Sequence, residues 1–145
     1  MLVSDTRDGD GDNRGDRGLD LRAAARPGDV FDQNCPSRNV LDHVTSRWGV
    51  LILEALRERP YRFNELRRRI GGVSEKMLAQ TLQTLERDGF VLRDAHPVIP
   101  PRVDYSLTAL GWQAADLTDM LKTWVEKHVP DVLEARERHD ARAVG

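Results

Sequence analysis

The apolar positions divide the chain into a series of helices, a short alternating stretch and one further long helix. The best-marked segment runs from Ser74 to Asp88, where Leu78, Leu82 and Leu85 recur at intervals of four and three. At about 100 degrees per residue these leucines share one helix face and must meet a core. Lys76, Gln80, Gln83 and Arg87 point the opposite way, with Ala79 and Thr84 at the margins. Gly71 and Gly72 break the preceding helix, and Ser74 stands where its side-chain oxygen accepts from an amide of the new first turn. Glu75 places a negative charge at the positive end of the helix dipole, and Gly89 supplies a residue that tolerates the left-handed C-terminal conformation.

The flanking segments predict the rest of the fold. Cys35-Pro36 opens a helix through about Thr45, since proline suits the first helical position, with Val40, Leu41 and Val44 inward. RWGVLILEALRE is almost continuously apolar, predicts a helix buried on more than one side, and ends at Pro60. Phe63, Leu66 and Ile70 give the next helix a spacing of three and four, and leave Arg67, Arg68 and Arg69 on its outer side. After Gly89 the period becomes two, so Phe90 and Leu92, then Val103, Tyr105 and Leu107, each fall on one side of a strand. The connection AHPVIPPR is stiffened by three prolines and ends on Arg102.

From the N-cap Thr108 the chain is helical again. Leu110, Ala114, Leu117, Leu121, Trp124 and His128 step by four, three, four, three and four, a heptad seam that seeks a partner helix. Trp112 and Met120 widen that face, Pro130 interrupts or kinks the helix, and the charged end DVLEARERHDARAVG reads as frayed. The fold class expected is mainly α with a small β-hairpin wing: a winged helix-turn-helix that dimerises through terminal helices. Residues 1–34 are expected to form an acidic, glycine-rich mobile tail with a short helix at Leu19 to Arg26. Residues 35–129 hold the winged domain, with the dimerisation helix from about 108, and residues 130–145 a charged extension.

Composition changes this picture mainly through its local charge. The 145 residues suffice for one domain with a real core, and the net charge of −2 announces no nucleic-acid partner. Between Arg57 and Arg102, however, ten basic residues face six acids, a local excess of +4 centred on the polar helix. Phosphate neutralisation requires such a patch. The tail's eight aspartates against five arginines make it a solubilising segment or a weak competitor of DNA for the basic face. One cysteine excludes an internal disulfide, and no apolar run is long enough for a signal peptide or a membrane span, which points to a reduced, cytoplasmic protein without membrane partners.

The candidate chemistry is recognition rather than catalysis. Glutamine bonds an adenine edge in two places and lysine reaches guanine or a phosphate, so Lys76, Gln80, Gln83, Thr84 and Arg87 suit a major groove. An ordinary solvated helix face is the alternative. Arg67, Arg68 and Arg69 are candidate phosphate contacts or simply solvated, and Arg102 is a candidate phosphate or minor-groove probe or an arginine of a surface turn. The four histidines are too scattered for a metal site, and no phosphate-binding loop, nucleophile elbow or zinc-protease motif is present, so neither metal, cofactor nor enzyme activity is expected. Trp48, Trp112 and Trp124 are core residues or, alternatively, the lining of a small-molecule cavity near the seam.

CP, RWGVLILEAL, RFNELRRRIGGVSEKMLAQTLQTLERDGFVLRD and IPPRVDYSLTALG, in that order and spacing, resemble the HxlR-type bacterial transcription regulators, relatives of the MarR winged helices. The resemblance covers Cys35 to about Val129 and implies a homodimeric operator-binding repressor or activator. It carries DNA contact onto Ser74, Lys76 and Gln80 and onto Arg102; Thr81 and Gln83 stand where many relatives have arginine or lysine. It also implies that Cys35 senses electrophiles, aldehydes or oxidants, and the helix dipole would favour its thiolate. Without a second cysteine, oxidation would need Cys35 of another subunit, a small thiol or an over-oxidised state; an inert apolar cysteine is the alternative. Two other readings of the chain remain, a winged-helix protein-interaction module without sequence-specific DNA binding and a thiol-dependent redox enzyme.

Overall fold

The computed structural model describes residues 28–144 of the chain. Most of the acidic tail, including the short helix expected at Leu19 to Arg26, lies outside the described residues. The chain divides into two units, Met1–His43 and Val44–Gly145. In the first, Asp29 and Asp32 side chains accept from the amides of Phe31 and Asn34 at 3.0 and 2.9 Å. These short-range bonds fold residues 29–34 into turns that lead to helix α1 (Pro36–Thr45). The helix begins at Pro36 as the sequence predicts, but Val40 and Leu41 lie exposed, whereas Val44, the first residue of the second unit, packs on that unit's own core.

The second unit is built on α2 (Arg47–Glu58), whose Ile52, Leu53, Ala55 and Leu56 are buried. Ser46 caps it, accepting from the Gly49 amide at 3.1 Å. A two-residue strand, β1 (Tyr61–Arg62), follows Pro60 and leads directly into α3 (Phe63–Arg69). Glu65 in the first turn of α3 accepts from the Arg62 amide at 3.0 Å. Gly72, with φ of +87°, then reverses the chain into α4 (Glu75–Arg87). Leu66, Leu78, Leu82 and Leu85 meet the α2 residues in one core.

The wing is β2 (Val91–His96) and β3 (Arg102–Leu107), antiparallel, with Val91 opposite Leu107 and His96 opposite Arg102. β1 adds to β3, Tyr61 opposite Tyr105, so the sheet has three strands in the order β1-β3-β2. The alternation expected after Gly89 is shifted by one. Val91 is the buried residue of β2, and Leu92 is 53% exposed. Phe90 is buried just before the strand, its amide donating to the Leu85 carbonyl at 2.9 Å. The inward residue that follows Phe90 is therefore Val91, because a strand residue's side is fixed by its register and Val91 pairs with Leu107.

Helix α5 (Ala109–Val144) runs for 36 residues and includes Pro130. The interruption expected at Pro130 does not occur, and the helix runs on to Val144. Proline removes one amide donor, and the exposed turns beyond it are rich in strong helix formers, with Glu134 and Arg138 paired at 3.2 Å. The face of α5 that packs on its own unit carries small side chains: Gly111, Ala115 and Thr118 are buried. Thr118 Oγ1 donates to Glu54 at 3.0 Å, and Arg57 reaches Asp116 at 2.8 Å and Asp119 at 3.7 Å. These bonds fasten α5 along α2.

Candidate nucleic-acid interface

Helix α4 has the boundaries that its caps dictate. Ser74 Oγ accepts from the Met77 amide at 3.1 Å, and Gly89, with φ of +86°, follows the C-cap Asp88. Leu78, Leu82 and Leu85 are fully or almost fully buried, so the opposite face is turned outward by necessity. Lys76, Gln80, Gln83 and Arg87 are all exposed, and Ala79 and Thr84 are half-buried at the edges. The Thr84 hydroxyl donates to the Gln80 carbonyl at 3.1 Å, and that of Thr81 to the Met77 carbonyl at 2.7 Å. Both hydroxyl protons are thereby used inside the helix, leaving acceptor lone pairs and a methyl group.

The cations around α4 divide into engaged and free. Arg69 forms a two-pronged pair with Glu58, Nε to Oε1 at 2.9 Å, and Tyr61 donates to the same carboxylate at 2.6 Å. The Arg69 and Tyr61 hydrogen bonds hold Glu58 down to about 2, well below the ordinary carboxylate range. Arg67 lies 3.6 Å from Glu75, a bridge from α3 to the first turn of α4. Arg68, Lys76 and Arg87 are exposed and make no ion pair among the described residues. Of the three outer arginines of α3, Arg68 alone has no ion-pair partner among the described residues, a distinction that the run of arginines does not reveal in the sequence.

In the wing, Arg102 lies 3.3 Å from Asp104, and His96 Nε2 lies 2.9 Å from the same carboxylate and 3.5 Å from Asp94. This cluster was not legible in the sequence, since it arises from the cross-strand register that places Asp94 opposite Asp104 and His96 opposite Arg102. Arg93 lies on the other face of the hairpin, where it lines a small cleft with Ala79, Leu82, Gln83, Glu86 and Tyr105.

The seam on α5 stands open. Leu117 is 68% exposed and Trp124 56%, and Leu110 and Leu121 are exposed as well. Ala114 is partly buried against the core, and His128 stacks on Trp124 with centroids 4.5 Å apart while its Nδ1 lies 2.8 Å from the Trp124 carbonyl. The seam and the small-residue face are about 100 degrees apart around the helix. Among the described residues, one face is used within the chain and the other is exposed. Of the three tryptophans, Trp48 packs partly on the core, Trp112 lies under Arg57 at 6.0 Å, and Trp124 is on the seam.

In the first unit, Cys35 is half-buried at the start of α1, with Sγ 3.1 Å from Ser37 Oγ. Hydrogen bonding from the Ser37 side chain, and then from backbone groups of Ser37 and Asp29, lowers the thiol below its ordinary value. A side chain at Gly28 would collide with Ser37 and touch Cys35 Sγ, so the thiol sits under a close backbone approach. Among the described residues, no group of three or more His, Cys, Asp or Glu is arranged to hold a metal, and no helix is long and apolar enough to cross a membrane.

Comparison with known proteins agrees with this geometry. The family model described as HxlR-like helix-turn-helix matches residues 43–132. YtfH of Escherichia coli (strain K12), named as an uncharacterised HTH-type transcriptional regulator, is 56% identical over 123 residues, covering 85% of this chain and 98% of its own length. The solved structure of ytfH from Salmonella typhimurium, described as a transcriptional regulator, superposes with a TM-score of 0.73 at 60% identity, over 76% of this chain and 98% of that one. The redox regulator HypR in its oxidised form superposes with a TM-score of 0.60 at 33% identity, over 64% and 96% of the respective chains. These relatives are regulators rather than enzymes. With a winged helix-turn-helix fold and a family match over most of its length, the chain belongs to the HxlR-like helix-turn-helix family of transcriptional regulators.

Proposed function

We propose that the protein regulates transcription by binding operator DNA as a homodimer, with α4 in the major groove. The observation that carries this reading is the division of α4 into a leucine face locked in the core and an outward face of Lys76, Gln80, Gln83 and Arg87. The glutamine amides offer paired donors and acceptors to base edges. The Thr84 methyl suits a thymine methyl group, and Ser74 at the helix N-terminus suits a phosphate. Arg68, with Lys76 and Arg87, supplies charge that is not already neutralised; Arg67, held by Glu75, is the weaker phosphate contact.

The seam of α5 supports dimerisation. An exposed apolar stripe from Leu110 to His128 at heptad spacing is covered when it meets its own copy about a two-fold axis. Such an axis repeats α4 on a second half-site, which raises affinity for a palindromic operator.

Cys35 is the element that we assign to sensing. The lowered thiol and the likeness to HypR, named as a redox regulator, support it. A thiolate at Cys35 adds to an electrophilic carbon or is oxidised, and the modified protein leaves its operator.

Binding of the whole chain to the DNA upstream of its own gene, titrated at several salt concentrations against a shuffled duplex, tests the reading. A clear preference that weakens as salt rises is expected; equal binding to both duplexes at every salt concentration rejects it. For the sensor, an electrophile should release the wild-type protein and leave Cys35→Ser bound. Equal release of the two would remove Cys35 from the mechanism.

A further inference from the structure

We propose that the wing engages DNA through an uncharged tip, with Ile99 set into the minor groove, and that Arg102 neutralises the wing's own acids instead of holding a phosphate. The inference rests on the DNA-binding reading above and concerns what the wing does within it.

The register of the hairpin carries the first step. Successive strand residues alternate between faces, so Asp94 and His96 of β2 share a face with Asp104 and Arg102 of β3. Asp94 and Asp104 are directly opposite each other, an arrangement that like charges disfavour. The structure answers it locally, with His96 between the two carboxylates and Arg102 on Asp104 at 3.3 Å. β1 adds Arg62 opposite Asp104 on the same face, so two carboxylates meet two guanidiniums and their formal charges cancel. A phosphate approaching it meets no net attraction. Arg93 is on the opposite face, facing the α4 cleft.

The tip differs in kind. From Pro97 to Pro101 there is no charged residue, Ile99 is 99% exposed and Val98 is exposed beside it. Pro97, Pro100 and Pro101 restrict the backbone around Ile99, so little conformational freedom remains to be lost on contact. A rigid, uncharged, apolar projection beside a face whose arginines and aspartates balance is suited to the part of DNA that is itself least charged, the sugar-lined minor groove and the base step at its floor. Apolar side chains enter there as wedges that partly unstack a step and bend the duplex.

The test uses the full chain and a duplex enriched from a random-sequence pool by the wild-type protein. Affinity is titrated over a salt series, and bending is read by energy transfer between labels on the duplex ends. Ile99→Ala, which alters a fully exposed side chain, is expected to keep the wild-type circular dichroism. It should lose roughly tenfold in affinity at an unchanged salt slope, and bend the duplex less. Arg102→Ala should retain the wild-type salt slope. Wild-type affinity and bending by Ile99→Ala would overturn the inference, as would a salt slope reduced by about one contact in Arg102→Ala. A change in oligomeric state of Ile99→Ala without DNA would assign the tip to a second copy and also overturn it. If the wild-type protein enriches no sequence, the DNA-binding reading itself falls, and this inference with it.

Discussion

The Thr108 hydroxyl donates to the carbonyl oxygen of Gly89 at 2.6 Å and accepts from the Gly111 amide at 2.9 Å. One side chain thus closes the loop after α4 and caps α5. The Thr108 amide adds a bond to the Phe90 carbonyl at 3.1 Å. The end of α4 and the start of α5 are therefore fixed to each other through hydrogen bonds rather than through a flexible joint.

Replacing Thr108 by valine keeps its shape and removes both side-chain bonds. The variant should lose about 1–2 kcal/mol of stability, seen as a lower urea midpoint at an unchanged slope, while Thr108→Ser stays near wild type. A Thr108→Val midpoint equal to wild type would show that the cap is dispensable.

Gly111 and Gly72 should respond to alanine for different reasons. A Cβ at Gly111 would stand 2.0 Å from the Phe90 carbonyl oxygen, so the backbone of α5 must move away from the wing. That overpacking should cost about 2–3 kcal/mol or more. Gly72 has open space around it but a φ of +87°, so Gly72→Ala should cost only about 1 kcal/mol, from backbone strain. Thermal unfolding of both variants checks the order; a milder effect at Gly111 would contradict the packing described.

Acid should weaken the α2–α3 contact through Glu58. Its carboxylate, at about 2 in the folded chain, lies below the value of about 4.3 for an unperturbed glutamate. A lowered folded value stabilises the fold above about pH 4.3, and this contribution is lost as pH falls towards 2. The side chain is 42% exposed, so solvent screening holds the effect below about 1 kcal/mol. Stability measured against pH should fall less steeply between about pH 5 and 2 in Glu58→Gln than in wild type; parallel curves would remove Glu58 as the cause.

The parts of the fold legible in the sequence are those fixed by signals a few residues apart. Ser74, Gly72 and Gly89 bound α4 from within, and the helix they predict is the one observed. The faces of β2 were not legible because its register is fixed by distant Leu107, nor was β1, a two-residue strand formed only by pairing with Tyr105 and Asp104. On α5 the large residues of the seam drew the eye, whereas Gly111, Ala115 and Thr118 make the internal contact. Small side chains permit close helix approach yet carry little apolar signal. The same limit applied to the candidate site: the outward face of α4 follows from three leucines, but which arginines are already paired depends on folding.

Leu121 lies at the middle of the uncovered seam, 51% exposed in the single chain. Leu121→Glu should leave the secondary structure unchanged and shift the protein to monomer in sedimentation, with operator affinity falling at least tenfold as the second half-site is lost. A variant that remains dimeric would place the interface elsewhere.

Base reading by α4 is the centre of the proposed function. The most direct measurement compares wild type and Gln80→Ala on the preferred duplex and on its single-base-pair variants. Gln80→Ala should lose about 1–3 kcal/mol on the preferred duplex and discriminate less at one base pair, with the other positions read as before. Equal affinity of the two proteins for every duplex would contradict it.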